Sequence, residues 1–249
     1  MSHPFSTPAE LFTGEPLSGQ VALITGGSRG IGLAIARRLT RLGAAVAICG
    51  RNRAALDTAA AALQGAGARV FATVADVSQA ADAASFVSQA ESALGPADIL
   101  VNNAGVGIFG PAHERSEGEW DAVLDTNLKG VFLVSRAVAP SMIRRRTGHI
   151  INISSLAGKN TFAGGAIYCA SKWGLQGLSG CMAEDLRQYG IRVSVVCPGS
   201  VATDFSPHAS RDTSNLLQPD DVAHAVAMLA TQAPQSFISE VQLRPTQKP

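Results

Sequence analysis

Tyr168 and Lys172 stand four residues apart in the run Tyr168-Cys169-Ala170-Ser171-Lys172. On a helix, residues i and i+4 share a face, so this spacing sets an ammonium beside a phenol. A free tyrosine titrates near pH ~10 and is a poor acid or base at neutrality. Proton chemistry would require a lower pKa, and a neighbouring lysine supplies part of that shift. Taken alone, the pair also describes one packed ring and one solvated amine.

A second feature lies upstream. Val21-Ala-Leu-Ile-Thr25 reads as a buried strand, Gly26-Gly27-Ser28-Arg29-Gly30-Ile31-Gly32 as a glycine turn, and Ala34 to Leu42 as a helix. Glycines turn tightly and let a pyrophosphate approach the backbone, while the helix offers unpaired N–H groups and the positive end of its dipole. The spacing Gly26-x-x-x-Gly30-x-Gly32 differs from the common G-x-G-x-x-G fingerprint.

This turn, together with the Tyr-x-x-x-Lys pair, resembles the short-chain dehydrogenase/reductase family in its single-domain branch, over roughly residues 19 to 245. Further family motifs occur in order: Asp76-Val77, Asn102-Asn103-Ala104-Gly105, Asn127, Ser155, and Pro198-Gly199 followed by Thr203. The resemblance implies a catalytic group of Asn127, Ser155, Tyr168 and Lys172. Tyr168 would give its proton to a carbonyl oxygen as a nicotinamide delivers hydride to carbon, and oxidation would reverse both steps. Lys172 would lower the Tyr168 pKa and hold the nicotinamide ribose. Ser155 would hydrogen-bond the substrate oxygen; it is preferred to Ser154 because 13 residues, the family interval, separate it from Tyr168. Asn127, taken alone a helix cap, would distort the long helix and hold a water linking Lys172 to solvent.

The resemblance also distributes the dinucleotide. Gly26, Ser28, Arg29, Gly30, Ile31 and Gly32 take the pyrophosphate side, and Asp76 and Val77 the adenine. Asn103, Ala104 and Gly105 lie by the adenosine ribose; Tyr168, Lys172, Pro198, Gly199, Val201 and Thr203 take the nicotinamide side. Taken alone, Asp76 caps the turn beside Ser78. The second strand runs into Cys49-Gly50-Arg51-Asn52, without the acidic residue that would repel a 2′-phosphate. Arg51 and Arg29 offer two guanidiniums to one phosphate, so NADP(H) is expected in preference to NAD(H).

The chain of 249 residues, 46% hydrophobic, suits one large α/β domain over residues 19–249, preceded by an arm, residues 1–18, expected to be partly disordered. Pro4, Pro8 and Pro16 discourage regular structure there. Strands are predicted near 21–25, 45–49, 69–74, 98–102, 149–154, 192–197 and 237–243. Helices are predicted near 30–43, 53–65, 79–94, 117–146, 167–189 and 219–231, with Ser116 and Glu119 as a capping box. Right-handed crossovers then give a doubly wound Rossmann fold: a mostly parallel seven-stranded sheet, helices on both faces, and a ligand crevice at the carboxyl ends of the strands.

A formal net charge of +1 carries the footprint of neither a nucleic-acid nor an anionic-membrane partner. The first 19 residues lack a leader pattern, and no run of 18 apolar residues occurs. The expectation is a cytoplasmic protein acting on a small molecule, assembled through its long helices as a tetramer or dimer. Cysteines 49, 169, 181 and 197 have no paired or metal-binding spacing, and His113, His149, His208 and His224 are scattered, so reduced structural thiols and no metal are expected. Arg144-Arg145-Arg146 reads as a solvated helix end favoured by the dipole.

The substrate walls are predicted in Val106 to Pro111, Asn160 to Phe162 and Asp204 to Leu217, which are mostly small, apolar or neutral, and the short last stretch suggests an open cleft. The leading reading is an oxidoreductase acting on a carbonyl or secondary alcohol. A 3-oxoacyl carrier-protein reductase is the alternative, weakened because the ending Arg244-Pro245-Thr246 departs from the Gly-Gly common in such enzymes. A non-enzymatic dinucleotide sensor is disfavoured by the intact catalytic set.

Overall fold

Five consecutive buried residues, Val21–Thr25, have no solvent-facing side, and a strand without alternation must be covered on both faces. The computed structural model, which describes residues 14–205 and 215–247, places this strand, β1, in the interior of a seven-stranded parallel sheet. The others are β2 (Ala45–Gly50), β3 (Val70–Val74), β4 (Ile99–Asn102), β5 (Gly148–Ile153), β6 (Ile191–Pro198) and β7 (Glu240–Leu243). Their order is β3-β2-β1-β4-β5-β6-β7. The chain winds outward one way from β1 to β3 and then returns to β4 on the other side of β1. The crossovers therefore diverge between β1 and β4, and a crevice opens at the carboxyl ends of that pair.

Helices α1 (Gly30–Arg41), α2 (Arg53–Gly65), α3 (Ala80–Leu94), α4 (Glu117–Leu124), α5 (Gly130–Arg145), α6 (Ala166–Arg187) and α7 (Pro219–Ala230) cover the two faces. Successive strand residues serve opposite cores. Ile24, Ile48 and Val196 pack with Ile35, Leu39 and Val226, whereas Leu23, Leu100 and Ile150 pack with Phe86, Val134 and Leu186. Each fully buried side chain of this size contributes roughly 1.5–3 kcal/mol.

The predicted helix over 117–146 is interrupted. α4 starts at the Ser116–Glu119 capping box, but Asp125–Lys129 forms a π-helical turn before α5 resumes. Asn127 explains the extra residue. Its side chain leaves the helix surface, accepts the Val106 N–H at 2.8 Å and donates to the Val106 carbonyl at 2.9 Å. A widened turn lets it reach that far.

Of the triple arginine, Arg144 and Arg146 are exposed as predicted, but Arg145 is not solvated. Arg145 is three-quarters buried; it donates to Asp98 Oδ1 at 2.7 Å and to the Ala97 carbonyl, while Asp98 Oδ2 accepts the Val21 N–H at 2.9 Å. Arg146 closes α5 in the left-handed region, φ 53°, and donates to the Gln188 carbonyl. β7 is shorter than predicted because Ile238 is held by side chains: Gln232 Oε1 accepts its N–H at 3.0 Å and Ser194 Oγ donates to its carbonyl at 2.6 Å. His149 is part of the same structure, with Nε2 2.8 Å from Ser194 Oγ, and burial pushes its pKa down to about 3, which keeps it neutral.

The predicted arm falls mostly on residues 1–13, outside the described residues. Leu17 belongs to the domain: it is fully buried in the core beside α1, and its N–H donates to the Leu42 carbonyl at 2.8 Å. Leu17→Ala should therefore lower the free energy of unfolding by about 2–4 kcal/mol in urea titration. A loss below about 0.5 kcal/mol would show that this segment adds nothing to the core.

Candidate active site

The glycine turn follows β1, and its backbone can exist only without side chains. Gly26 and Gly30 lie in the left-handed region, at φ 65° and 52°. A Cβ on Gly32 would collide with the Gly26 carbonyl, and one on Gly26 would approach Ala104 Cα to 2.9 Å. Thr25 and Asn103 hold the turn from below. The Asn103 amide donates to the carbonyls of Thr25 and Gly26 at 3.0 and 3.1 Å, and Thr25 Oγ1 accepts the N–H groups of Asn103 and Ala104, both at 3.0 Å.

Arg29, the residue before α1, makes no side-chain capping bond, so the first-turn N–H groups that helix geometry leaves unpaired remain available. A turn whose glycine positions leave the backbone open, followed by the unpaired donors of a helix start, fits a diphosphate. Across the crevice, a Cβ on Gly30 would come within 3.4 Å of Thr203 Cγ2, so the two predicted cofactor segments form facing walls.

The other predicted cofactor residues border this crevice in different ways. Arg51 is exposed at the end of β2, and Asn52 caps α2 by accepting the Ala55 N–H at 2.9 Å. Arg29 lies 3.6 Å from Asp204 in a largely exposed ion pair. Asp76 Oδ1 accepts from the N–H and the hydroxyl of Ser78, the turn role it has when taken alone. Val77 is buried against Gly130, Ser28 Oγ approaches Gly50, and Ile31 packs on the core. Gly105 abuts the Asn127 carboxamide. Pro198 ends β6, Gly199 donates to the Leu243 carbonyl at 2.8 Å, Val201 bridges to Leu217, and Thr203 Oγ1 accepts the Phe205 N–H at 3.4 Å. Of the predicted stretch Asp204 to Leu217, residues 206–214 lie outside the described residues.

Tyr168 and Lys172 occupy the first two turns of α6, both buried. The Lys172 ammonium donates to the Ile153 carbonyl at 3.0 Å and lies 5.7 Å from the centre of the Tyr168 ring. Burial pushes the Tyr168 phenol up to about 12, against a hydrogen bond with Ser155 that lowers it. Burial also brings Lys172 down to about 8. The expected lowering of Tyr168 by Lys172 is not found: burial dominates, and what opposes it is the Ser155 hydrogen bond.

Ser155, just past β5, is the serine that meets Tyr168; its Oγ also accepts the Ala157 N–H at 3.0 Å. Ser154 is turned elsewhere, its N–H donating to the Val196 carbonyl and its Oγ accepting from Gln176. Asn127 joins the group through Ser171. Its amide donates to Ser171 Oγ at 3.0 Å, and that hydroxyl donates to the Tyr168 carbonyl at 2.7 Å. Asn127 therefore sits within a π turn rather than at a helix start.

Thr25 and Ser171 complete the site without having been singled out as site residues, and Gln176 holds Ser154 aside by donating to its Oγ at 2.9 Å. Thr25 had a signal, a hydroxyl closing an otherwise apolar strand; the other two are ordinary polar residues on a helix. Among the described residues, the four cysteines are free and no group of three or more His, Cys, Asp or Glu side chains could hold a metal ion.

The family model for short chain dehydrogenases matches residues 20–214. Gluconate 5-dehydrogenase of Gluconobacter oxydans is 39% identical over 212 residues, covering 85% of this chain and 80% of its own. Among solved structures, a metagenomic short-chain oxidoreductase in complex with NADP is 50% identical with a TM-score of 0.83, covering 94% of this chain and 100% of that one. A Trp-for-Phe variant of actinorhodin polyketide ketoreductase with NADPH is 33% identical with a TM-score of 0.85, covering 94% and 98%.

Asn127→Ala would leave the Val106 N–H and carbonyl without their partner and take one donor from Ser171 Oγ, which keeps its bond to the Tyr168 carbonyl. At roughly 1–3 kcal/mol per unsatisfied buried group, partly relieved by relaxation, the expected loss is about 2–4 kcal/mol by chemical denaturation. A variant as stable as the parent would mean that the π turn does not depend on this side chain.

Proposed function

The chain belongs to the short-chain dehydrogenase family, and on that premise we propose that it reduces a carbonyl compound, or oxidises the matching secondary alcohol, with Tyr168 as the acid or base. The nicotinamide of a bound NADP(H) supplies or accepts the hydride. The observation that carries this reading is the meeting of the Tyr168 and Ser155 hydroxyls beside a buried ammonium, at the carboxyl ends of the strands that bear the glycine turn.

Ser155 orients the substrate oxygen toward the phenol. A phenol held well above neutrality keeps its proton until an oxygen of developing negative charge takes it. The Lys172 ammonium then faces the resulting phenolate at close range in a poorly screened site. Asn127 and Ser171 fix the Tyr168 backbone, and proton resupply by way of Asn127 and Lys172 is part of the same proposal.

Residues Gly26 to Gly32 would hold the diphosphate, Asp76 with Val77 and Asn103 to Gly105 the adenosine, and Lys172, Pro198, Gly199, Val201 and Thr203 the nicotinamide half. NADP-bound structural relatives support this assignment. NADP(H) is preferred in this reading because Arg51 and Arg29 flank the end of β2. The exposed Arg29–Asp204 pair is weak enough for a phosphate to displace.

Reduction of 3-oxoacyl thioesters is a second reading, favoured by the likeness to a polyketide ketoreductase. The intact Ser155, Tyr168 and Lys172 set a sensor role aside. A cytoplasmic homo-oligomer completes the proposal, joined through α4, α5 and α6, where Trp120, Phe132 and Trp173 are exposed. No described helix is long and apolar enough to cross a membrane.

NADPH consumption across a panel of ketones, aldehydes and 3-oxoacyl thioesters tests the activity directly. Tyr168→Phe should lower turnover at least ~10²-fold while cofactor affinity stays within a few fold. Near-normal turnover would remove Tyr168 from the chemistry. In the reductive direction kcat/KM should hold steady from pH 6 and fall as pH rises through about 8, where Lys172 loses its charge, the phenol remaining protonated to about 12. A reductive rate that climbs through that range would contradict the assignment.

Cofactor choice rests on Arg51. Arg51→Asp should invert selectivity toward NADH, with most of the loss in the KM for NADPH and little in kcat. Equal affinity of the unmodified protein for both cofactors would refute the preference.

A further inference from the structure

Three phenylalanines far apart in sequence converge on the catalytic phenol. Phe109 meets Tyr168 edge-on, with ring centroids 5.4 Å apart, Phe205 meets it at 5.8 Å, and Phe162 extends the series from Phe109 at 6.1 Å. The interplanar angles of 40° to 61° are tilted or edge-on geometries rather than closed stacks. Tyr168 and Phe109 belong to a small apolar cluster separate from the two cores of the sheet. These rings therefore line the site rather than support the fold.

Two glycines seat them. A Cβ on Gly107 would come within 2.9 Å of both the Phe109 and the Phe205 rings, and one on Gly165 within 2.6 Å of the Phe162 ring. A cavity of about 480 Å³ lies on the far side of Phe162, lined by Gly165, Cys169 and Trp173 and not by Tyr168, Phe109 or Phe205, so it is not counted as substrate space. Of the nearby cations, Arg115 is paired with Glu119 at 3.0 Å and Arg29 is assigned above to the cofactor phosphate, so neither is left for an anionic head group on the substrate.

We infer that the carbonyl substrate is an aryl ketone, whose ring is received by Phe109, Phe162 and Phe205 while its oxygen faces Tyr168 and Ser155. This rests on the carbonyl-reduction reading above. Aromatic partners favour a ring over a saturated group of equal bulk through the positive edges and negative faces of their π systems.

The test compares acetophenone with cyclohexyl methyl ketone, which matches it in size without the aromatic ring, and with the N-acetylcysteamine thioester of acetoacetate. With NADPH, kcat/KM for acetophenone should exceed that for the cyclohexyl ketone by about fivefold or more. In Phe162→Ala and in Gly107→Ala, which forces two rings apart, that ratio should fall toward one, through a rise in the KM for acetophenone. Equal or reversed preference in the unmodified protein, a thioester favoured tenfold, or a ratio unmoved in folded variants would overturn the inference and leave carbonyl reduction standing. If the protein binds NADPH but consumes none of the three, the carbonyl reading falls and this inference with it.

Discussion

Where two parallel strands part company, the backbone groups beyond the last ladder bond lose their partners, and each must find another or be solvated. β1 and β4 pair only as far as Ile24 and Val101. Past that point the groups of Thr25, Gly26, Asn103 and Ala104 are met by two side chains: the Thr25 hydroxyl and the Asn103 amide take over the ladder. Everything functional in the molecule depends on this substitution. It lets the strands diverge without unsatisfied donors, and it fixes the carbonyls of Thr25 and Gly26 inward, which frees the outward side of the glycine turn.

The same device recurs deeper in the sheet. Asn102 donates to Ser135 and Asn152, and Asn152 donates to Ser179, so β4, β5, α5 and α6 are joined by a buried polar chain. Above it, Asn127 and Ser171 tie the β4 loop to the α6 carbonyl at Tyr168. Such chains contribute little net energy while complete and cost much when broken. Their value here is positional, because they allow α6 only one register against the sheet. Tyr168 and Ser155 belong to different elements, and they meet because that register is fixed.

Legibility in the sequence followed the range of the forces involved. The buried strands declared themselves through uninterrupted apolar runs, and the glycine turn through its own spacing, since both are local. The interruption of the helix near 117–146 was foreseen only through the resemblance, which gives Asn127 that distorting role; no local pattern shows it, because its cause is Val106, 21 residues away from Asn127. Arg145 looked like a solvated cation because Asp98 lies 47 residues away. Ser171 and Gln176 carry no pattern of their own, and the convergence of Phe109, Phe162 and Phe205 exists only in three dimensions. The spacing of Tyr168 and Lys172 foretold their proximity but not their burial, and burial is what decides their ionisation.

Desolvation acts on those two groups in opposite directions, raising the phenol and lowering the ammonium, so it favours the neutral form of each. The charged pair, phenolate with ammonium, is disfavoured at rest but is held together by an attraction that the same low dielectric strengthens. A site of this kind keeps its proton on the phenol in the resting protein and yields it only when the acceptor is more basic than the phenolate left behind. An alkoxide forming at a reduced carbonyl meets that condition, whereas a ground-state ketone does not. In the proposed reaction, burial of Tyr168 thus confines proton transfer to the moment at which the substrate oxygen becomes charged.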